Sequence, residues 1–189
     1  MRQQVSRELY SYWNVMRGAR AAPERARLDP GAIRPILADT FLIEVDAGEG
    51  FPFRVAGARV NALWRTQLKG TSFVDLWREE DRHNAQAALM AVVDGVAPLV
   101  GGARVRAPGD MAADLEFVLL PLRHFGRTHS RVLGALSPAR PVEWIGQTSA
   151  GLLEFLSMRV VDAPEAFGFK PPVPPRSRPR LVVCNDEKL

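Results

Sequence analysis

Three histidines, a single cysteine and scattered carboxylates are the groups in this sequence best equipped for chemistry. His83 stands among Glu79, Glu80, Asp81, Arg82 and Asn84. That is a solvated helix start, so it reads as an ordinary surface histidine and not as an axial haem ligand. His124 and His129 flank a turn and make no metal-ligand spacing with an acid cluster. His129, Ser130 and Asp114 have the residue types of a hydrolase triad. Neighbours on a strand point to opposite faces, however, so His129 does not orient Ser130. No G-x-S-x-G turn accompanies them either. Cys184 alone makes neither an internal disulfide nor a thiolate metal site, and reads as an exposed thiol. Gly101-Gly102 is followed by no Walker lysine and no G-x-G-x-x-G pattern; it reads as a bulge within a strand. The expectation is a chain with no catalytic residue, no metal site and no cofactor.

The 189 residues make one domain, or at most two small ones. With 47% hydrophobic and 24% charged residues the composition is that of a soluble globular protein, too apolar for a disordered chain. No apolar run approaches the roughly 18 residues that span a bilayer. The densest, Leu115 to Leu122, contains Glu116 and Pro121. The start, MRQQVSRELYSYW, lacks an apolar signal core, so the expected location is cytoplasmic. The pI of about 9.8 suggests an acidic partner, but the excess charge is unevenly placed. Residues 1–40 hold seven basic and four acidic residues, and 164–189 hold five and three. The stretch between them carries thirteen and fourteen, a net of −1, and offers no clustered nucleic-acid groove.

Val5, Leu9, Tyr12, Trp13 and Met16 fall on one face of a helix over 5–17, stopped by Gly18. Asp29-Pro30 caps a short helix over 30–38. Thr40 to Val45 and Phe51 to Ala58 read as a hairpin, with Phe51, Phe53 and Val55 on one side. Short helical turns follow at 59–66 and 73–77, then a helix over 78–94 whose first turn holds Glu79, Glu80 and Asp81. Strands are predicted over 96–107, 111–123 and 129–137, joined by tight turns such as Pro108-Gly109-Asp110. Residues 142–161 are apolar but interrupted by Gly146 and Gly151, and predict irregular helix or extended packing. Six prolines after residue 163, five of them within KPPVPPRSRPR, mark a polyproline-like or disordered tail.

Tight turns between the last three strands exclude a parallel βαβ pattern. The order resembles that of the PAS domain. Residues 53–60, FRVAGARV, resemble the PAS strand that runs into the first core helix. Residues 70–77, GTSFVDLW, with Glu80-Asp81-Arg82 resemble its G-x-x-h-x-d-h segment and helix start, although Glu79 stands where proline is usual. The Pro108-Gly109-Asp110 turn resembles its x-D-G-x hairpin. The N-terminal segment from Tyr12-Trp13-Asn14 to Pro23 is similar to that of a bacterial subgroup of short, stand-alone PAS proteins. The resemblance covers about residues 40–140, and to the subgroup about 8–160.

It implies an α+β fold: a five-stranded antiparallel sheet of order 2-1-5-4-3 with helices on one face, preceded by the amphipathic helix. The expected division is 1–39 N-terminal helical extension, 40–140 core, 141–163 packing segment and 164–189 tail. A ligand cavity would lie between sheet and helices, lined by Phe53, Val55, Trp64, Phe73, Trp77, Leu89 and Phe117, residues that serve equally as plain core. The light-sensing flavin type needs a cysteine in the short-helix region, where there is none. The stripe Val5, Leu9, Tyr12, Trp13, Met16 either docks on the chain's own sheet or forms a dimer or partner surface. Charged Arg54, Arg104, Arg106 and Glu116 lie within strands, and one turned inward would imply an anionic ligand. The implied function is a sensory or regulatory module acting through a protein partner or self-dimer, with or without a small ligand. The alternatives are an enzyme on a similar scaffold and nucleic-acid binding through the basic tail.

Overall fold

A computed structural model describes residues 1–45, 50–124 and 127–161, with the side chains of 124 and 127–130 left aside. Cys184, the proline-rich tail, and the turn at 46–49 lie outside the described residues, as do the side chains of His124, His129 and Ser130. The chain runs α1 (Gln4–Arg17), β1 (Thr40–Glu44), β2 (Phe53–Ala56), α2 (Ala58–Trp64), α3 (Arg82–Gly95), β3 (Leu99–Ala107), β4 (Met111–His124), β5 (Arg127–Pro138) and β6 (Leu153–Val160). Short 3₁₀ turns stand at Arg25–Arg27, Pro30–Ile33, Leu37–Asp39, Phe73–Leu76 and Glu79–Asp81. All strand pairs are antiparallel, in the order β2-β1-β5-β4-β3-β6.

The sheet therefore has the expected 2-1-5-4-3 order plus a sixth strand on β3. The 142–161 segment, read as irregular packing, supplies it. Opposite Gly102 and Ala103 the β6 register shifts, leaving Leu156 as an extra residue. That bulge breaks the two-residue period by which a strand is recognised. The helix predicted over 30–38 is instead two 3₁₀ turns, with the Asp29 carboxylate accepting from the Gly31 N–H at 2.9 Å. The acidic triplet 79–81 forms its own 3₁₀ turn ahead of α3.

Helices cover both faces of the sheet, not one. Alternation along each strand sends side chains to two separate cores. Phe41 and Ile43, Leu115, Phe117 and Leu119, with Val132 and Leu136, face α2, α3 and the 73–76 turn. Leu42, Val118, Leu120, Leu122, Leu133 and Ala135 face the other way, against Leu9 and Trp13 of α1 and Ile33 and Ile36. A strand buried on both faces reads as a continuous apolar run. That explains the dense stretch in β4. In two places a ring lies flat across a directly opposed glycine: Phe117 over Gly101, and Phe41 over Gly134. A Cβ at either glycine would stand 2.2 or 2.3 Å from the ring.

Candidate functional site

The space between the sheet and the α2–α3 layer is filled by the chain's own rings. Phe41, Phe53 and Phe73 stand 5.4–6.0 Å apart, centroid to centroid. Phe73 meets Trp77 at 5.7 Å, and Trp77 meets Phe117 at 5.5 Å and Phe155 at 5.2 Å. Edge-on and tilted arrangements of this kind are the favoured ones for aromatic pairs. Of the seven residues expected to line a cavity, Phe53, Phe73, Trp77, Leu89 and Phe117 are brought together in this buried cluster. Trp64 sits at its margin and donates its indole N–H to the Gly151 carbonyl at 3.0 Å.

Val55 does not belong: it is 56% exposed. The β1–β2 ladder shifts register so that Ile43 pairs with Phe53 and Leu42 with Val55. Arg54 is the extra residue, and the bulge turns Val55 to the outer face. Phe41 and Phe155 complete the cluster unheralded. Phe155 sits beside the β6 bulge, and the periodicity of Phe41 is hidden in a strand buried on both sides. Among the described residues this layer is built from apolar and aromatic side chains. Trp77 Nε1, in this layer, is buried with no hydrogen-bond partner among the described residues. His83 lies exposed on the first turn of α3.

The outer face is organised around α1. Its stripe packs on the sheet: Leu9 and Trp13 are fully buried, Met16 nearly so, and Val5 and Tyr12 partly. Of the two arrangements weighed for the stripe, the chain adopts docking on its own sheet, which consumes the apolar face that a dimer would have used. Polar contacts hold it at both ends. Trp13 donates its indole N–H to the Pro121 carbonyl at 2.8 Å. The Glu116 carboxylate accepts from the backbone N–H of Arg2 at 2.7 Å and of Gln3 at 3.0 Å. Burial pushes the Glu116 carboxyl up, but those two amides and the Ser6 hydroxyl outweigh it and hold the group below its ordinary range. Tyr12 receives the Asp29 N–H at 2.7 Å, and Arg27 donates to the Met16 carbonyl at 3.0 Å. Sequence reasoning placed Glu116 simply within a strand; a partner some 114 residues away in the chain leaves no local signal.

Beyond the start of α1 the outer face turns basic. Arg104 and Arg106 project from β3 beside Asp114 and Ala112 of β4. With Arg2 and Arg140 they line an open cleft of about 1000 Å³, whose acids are Asp114 and Glu143. Arg104 grips Asp114 through two bonds, Nε–Oδ1 at 2.7 Å and Nη2–Oδ2 at 3.2 Å, and this pairing holds the Asp114 carboxyl below its usual range. Arg54, at the other end of the sheet, pairs with Glu44, which also meets Arg131 at 3.4 Å. Asp39 is buried, pushed up by that burial while Arg59 at 3.3 Å pulls it down. It lines neither this cleft nor a smaller one at 61–67.

The edges of the sheet differ. The first half of β6 is blocked: Arg78 donates its backbone N–H to the Leu153 carbonyl, and Asp81 accepts from the Phe155 N–H, each at 3.0 Å. The second half carries exposed Leu156, Met158 and Val160.

Among the described residues no helix is long and apolar enough to cross a membrane, and there is no cluster of His, Cys, Asp or Glu able to hold a metal ion. No curated protein matches the chain. Among solved structures, the PAS domain of a protein from Colwellia psychrerythraea is 14% identical, with a TM-score of 0.43 over 58% of this chain and 97% of that one. The LOV protein of Rhodobacter sphaeroides is 16% identical, with a TM-score of 0.45 over 62% of this chain and 73% of that one. The sequence profile of the PAS domain matches residues 1–137, which takes in α1 and the first five strands, and the chain thus belongs to the PAS domain family.

Proposed function

We propose that this PAS chain is a non-enzymatic regulatory module whose signal is the docking state of α1, passed on by contact with a partner protein. Family membership supports the sensory role in general terms. The observation that carries the finer reading is the way α1 is held. An apolar seam lies between two polar clamps, Glu116 at the start and the Pro121 carbonyl at Trp13. Such an element has a discrete docked state, and releasing it uncovers Leu42, Val118, Leu120 and Leu133. A ligand or partner shifts the balance only by binding the two states unequally. The filled ring layer supports a module that works without a resident flavin or haem.

Removing residues 1–18 is expected to change oligomeric state or partner binding, read by analytical ultracentrifugation and titration, while circular dichroism retains its strand signature. Where the truncated chain fails to fold, Trp13→Ala in the full chain serves instead. If neither change moves association, the mechanism is wrong. Native mass spectrometry and an absorption spectrum of fresh protein test the cofactor-free reading, and a Soret or flavin band overturns it.

A further inference from the structure

We infer that the arginine-lined cleft beside the β3–β4 hairpin is the docking site for an acidic, extended segment of a partner protein. The inference names the partner chemistry for the contact-driven reading above and rests on it. The outer sheet face divides where α1 begins. Toward the end of β4 it is apolar and covered; toward the hairpin it is charged and no described element covers it. The Glu116 carboxylate marks the boundary, since it takes the amides of Arg2 and Gln3 while the Arg2 side chain lines the cleft.

The charge there is unbalanced. Asp114 is committed to Arg104 through both oxygens. Arg2, Arg106 and Arg140 make no ion pair with any described residue, and Glu143 is the only other acid in the lining. Four guanidinium groups thus line a space that holds two carboxylates, Asp114 and Glu143, and Asp114 already answers Arg104 and, at longer range, Arg140. A guanidinium fork matches a carboxylate with two parallel bonds, a stronger and more directional contact than a point charge gives.

The lining also carries apolar side chains, from Met111, Ala112, Pro141, Val142 and Trp144, between the charged ones. A ligand with acids on its margin and small or apolar groups between them fits both parts. The cleft is at the upper end of small-molecule pocket volumes, which run to about 1000 Å³, and it lies open to solvent. A small free acid would remain mostly wet in it, whereas a tight small-molecule site encloses about 70–90% of its ligand. An extended acidic chain spans the rim without needing enclosure, and its charge would speed encounter as well as fix register.

The test uses the full chain and a fluorescein-labelled peptide of alternating glutamate and leucine, followed by anisotropy at about 20 mM and about 200 mM salt. Binding is expected at the lower salt, weaker at the higher. The double variant Arg106→Glu/Arg140→Glu should lose at least about tenfold in affinity, with its melting curve unchanged. Arg82→Glu, on α3 and away from the cleft, should bind like the parent, and a glutamine–leucine peptide should not bind. Equal affinity in the double variant, or no binding at low salt, overturns the proposal. So does free glutarate competing as well as the peptide, because the site would then be one for small acids. Neither Arg106 nor Arg140 bonds to α1, so a failure here is distinct from a failure of the α1 variants.

Discussion

Glu116 faces two demands that pull its proton in opposite directions. Burial favours the neutral acid, while the amides of Arg2 and Gln3 favour the anion and prevail, so its folded pKa lies below its ordinary value of 4.5. A group depressed in this way stabilises the folded state fully above its ordinary value and loses that contribution as pH falls through the folded pKa. Docking of α1 is therefore expected to weaken on acidification below about pH 4.5. The Trp13 indole N–H resonance, bonded to the Pro121 carbonyl, reports it. Glu116→Gln should cost about 1–3 kcal/mol near neutral pH and flatten that acid response. A variant with the parent's pH profile would assign the response elsewhere. The two glycines under rings make a second case at this scale. Gly101→Ala or Gly134→Ala forces a Cβ against Phe117 or Phe41, and overpacking of this kind costs about 1–3 kcal/mol. Denaturant midpoints measure it. Gly101-Gly102 reads in the sequence as a bulge within its own strand, but both pair regularly with β4 and the extra residue lies in β6, at Leu156; the ring that needs Gly101 sits on the opposite strand, where no local pattern points to it.

Elements with a clean period and punctuated ends were the legible ones. The helix over 5–17 became Gln4–Arg17 because one apolar stripe, repeated at helical spacing, meets one sheet face. The β3, β4 and β5 meander followed from its turns, Pro108-Gly109-Asp110 above all. What failed to read has a common cause. Bulges at Arg54 and Leu156 switch side-chain faces midway, sending Val55 outward and hiding β6. The candidate site suffered likewise: the inner ring cluster was partly named, but the cleft joins arginines from separate parts of the chain that no spacing links. Among the described residues β6 also leaves a partly open edge. An apolar edge invites pairing with another strand, and charge is the usual deterrent. Leu156→Lys/Met158→Lys is expected to lower self-association at high concentration, measured by sedimentation. It should leave stability within about 0.5 kcal/mol, since both residues are exposed.

Across the whole molecule the sheet separates two cores that share a backbone and no side chains. Leu9→Ala empties part of the outer core and Leu89→Ala part of the inner one, each at about 2–5 kcal/mol. The sites lie on opposite faces, so the two losses are expected to add within about 0.5 kcal/mol in a double-mutant cycle. A larger coupling would mean that the faces communicate through the strands. Additivity fits a division of labour in which α1 and the arginine cleft share one face, while the ring-filled core gives that face a stiff backing. The Glu116 contact has one more consequence, in time. α1 is made before β4, and the carboxylate that receives its leading amides is 114 residues downstream. Until β4 is formed, the helix has no seat. Its apolar stripe then depends on whatever shelters it, and its attachment closes a loop of 114 residues. Docking should thus be among the last events of folding, and the first to reverse.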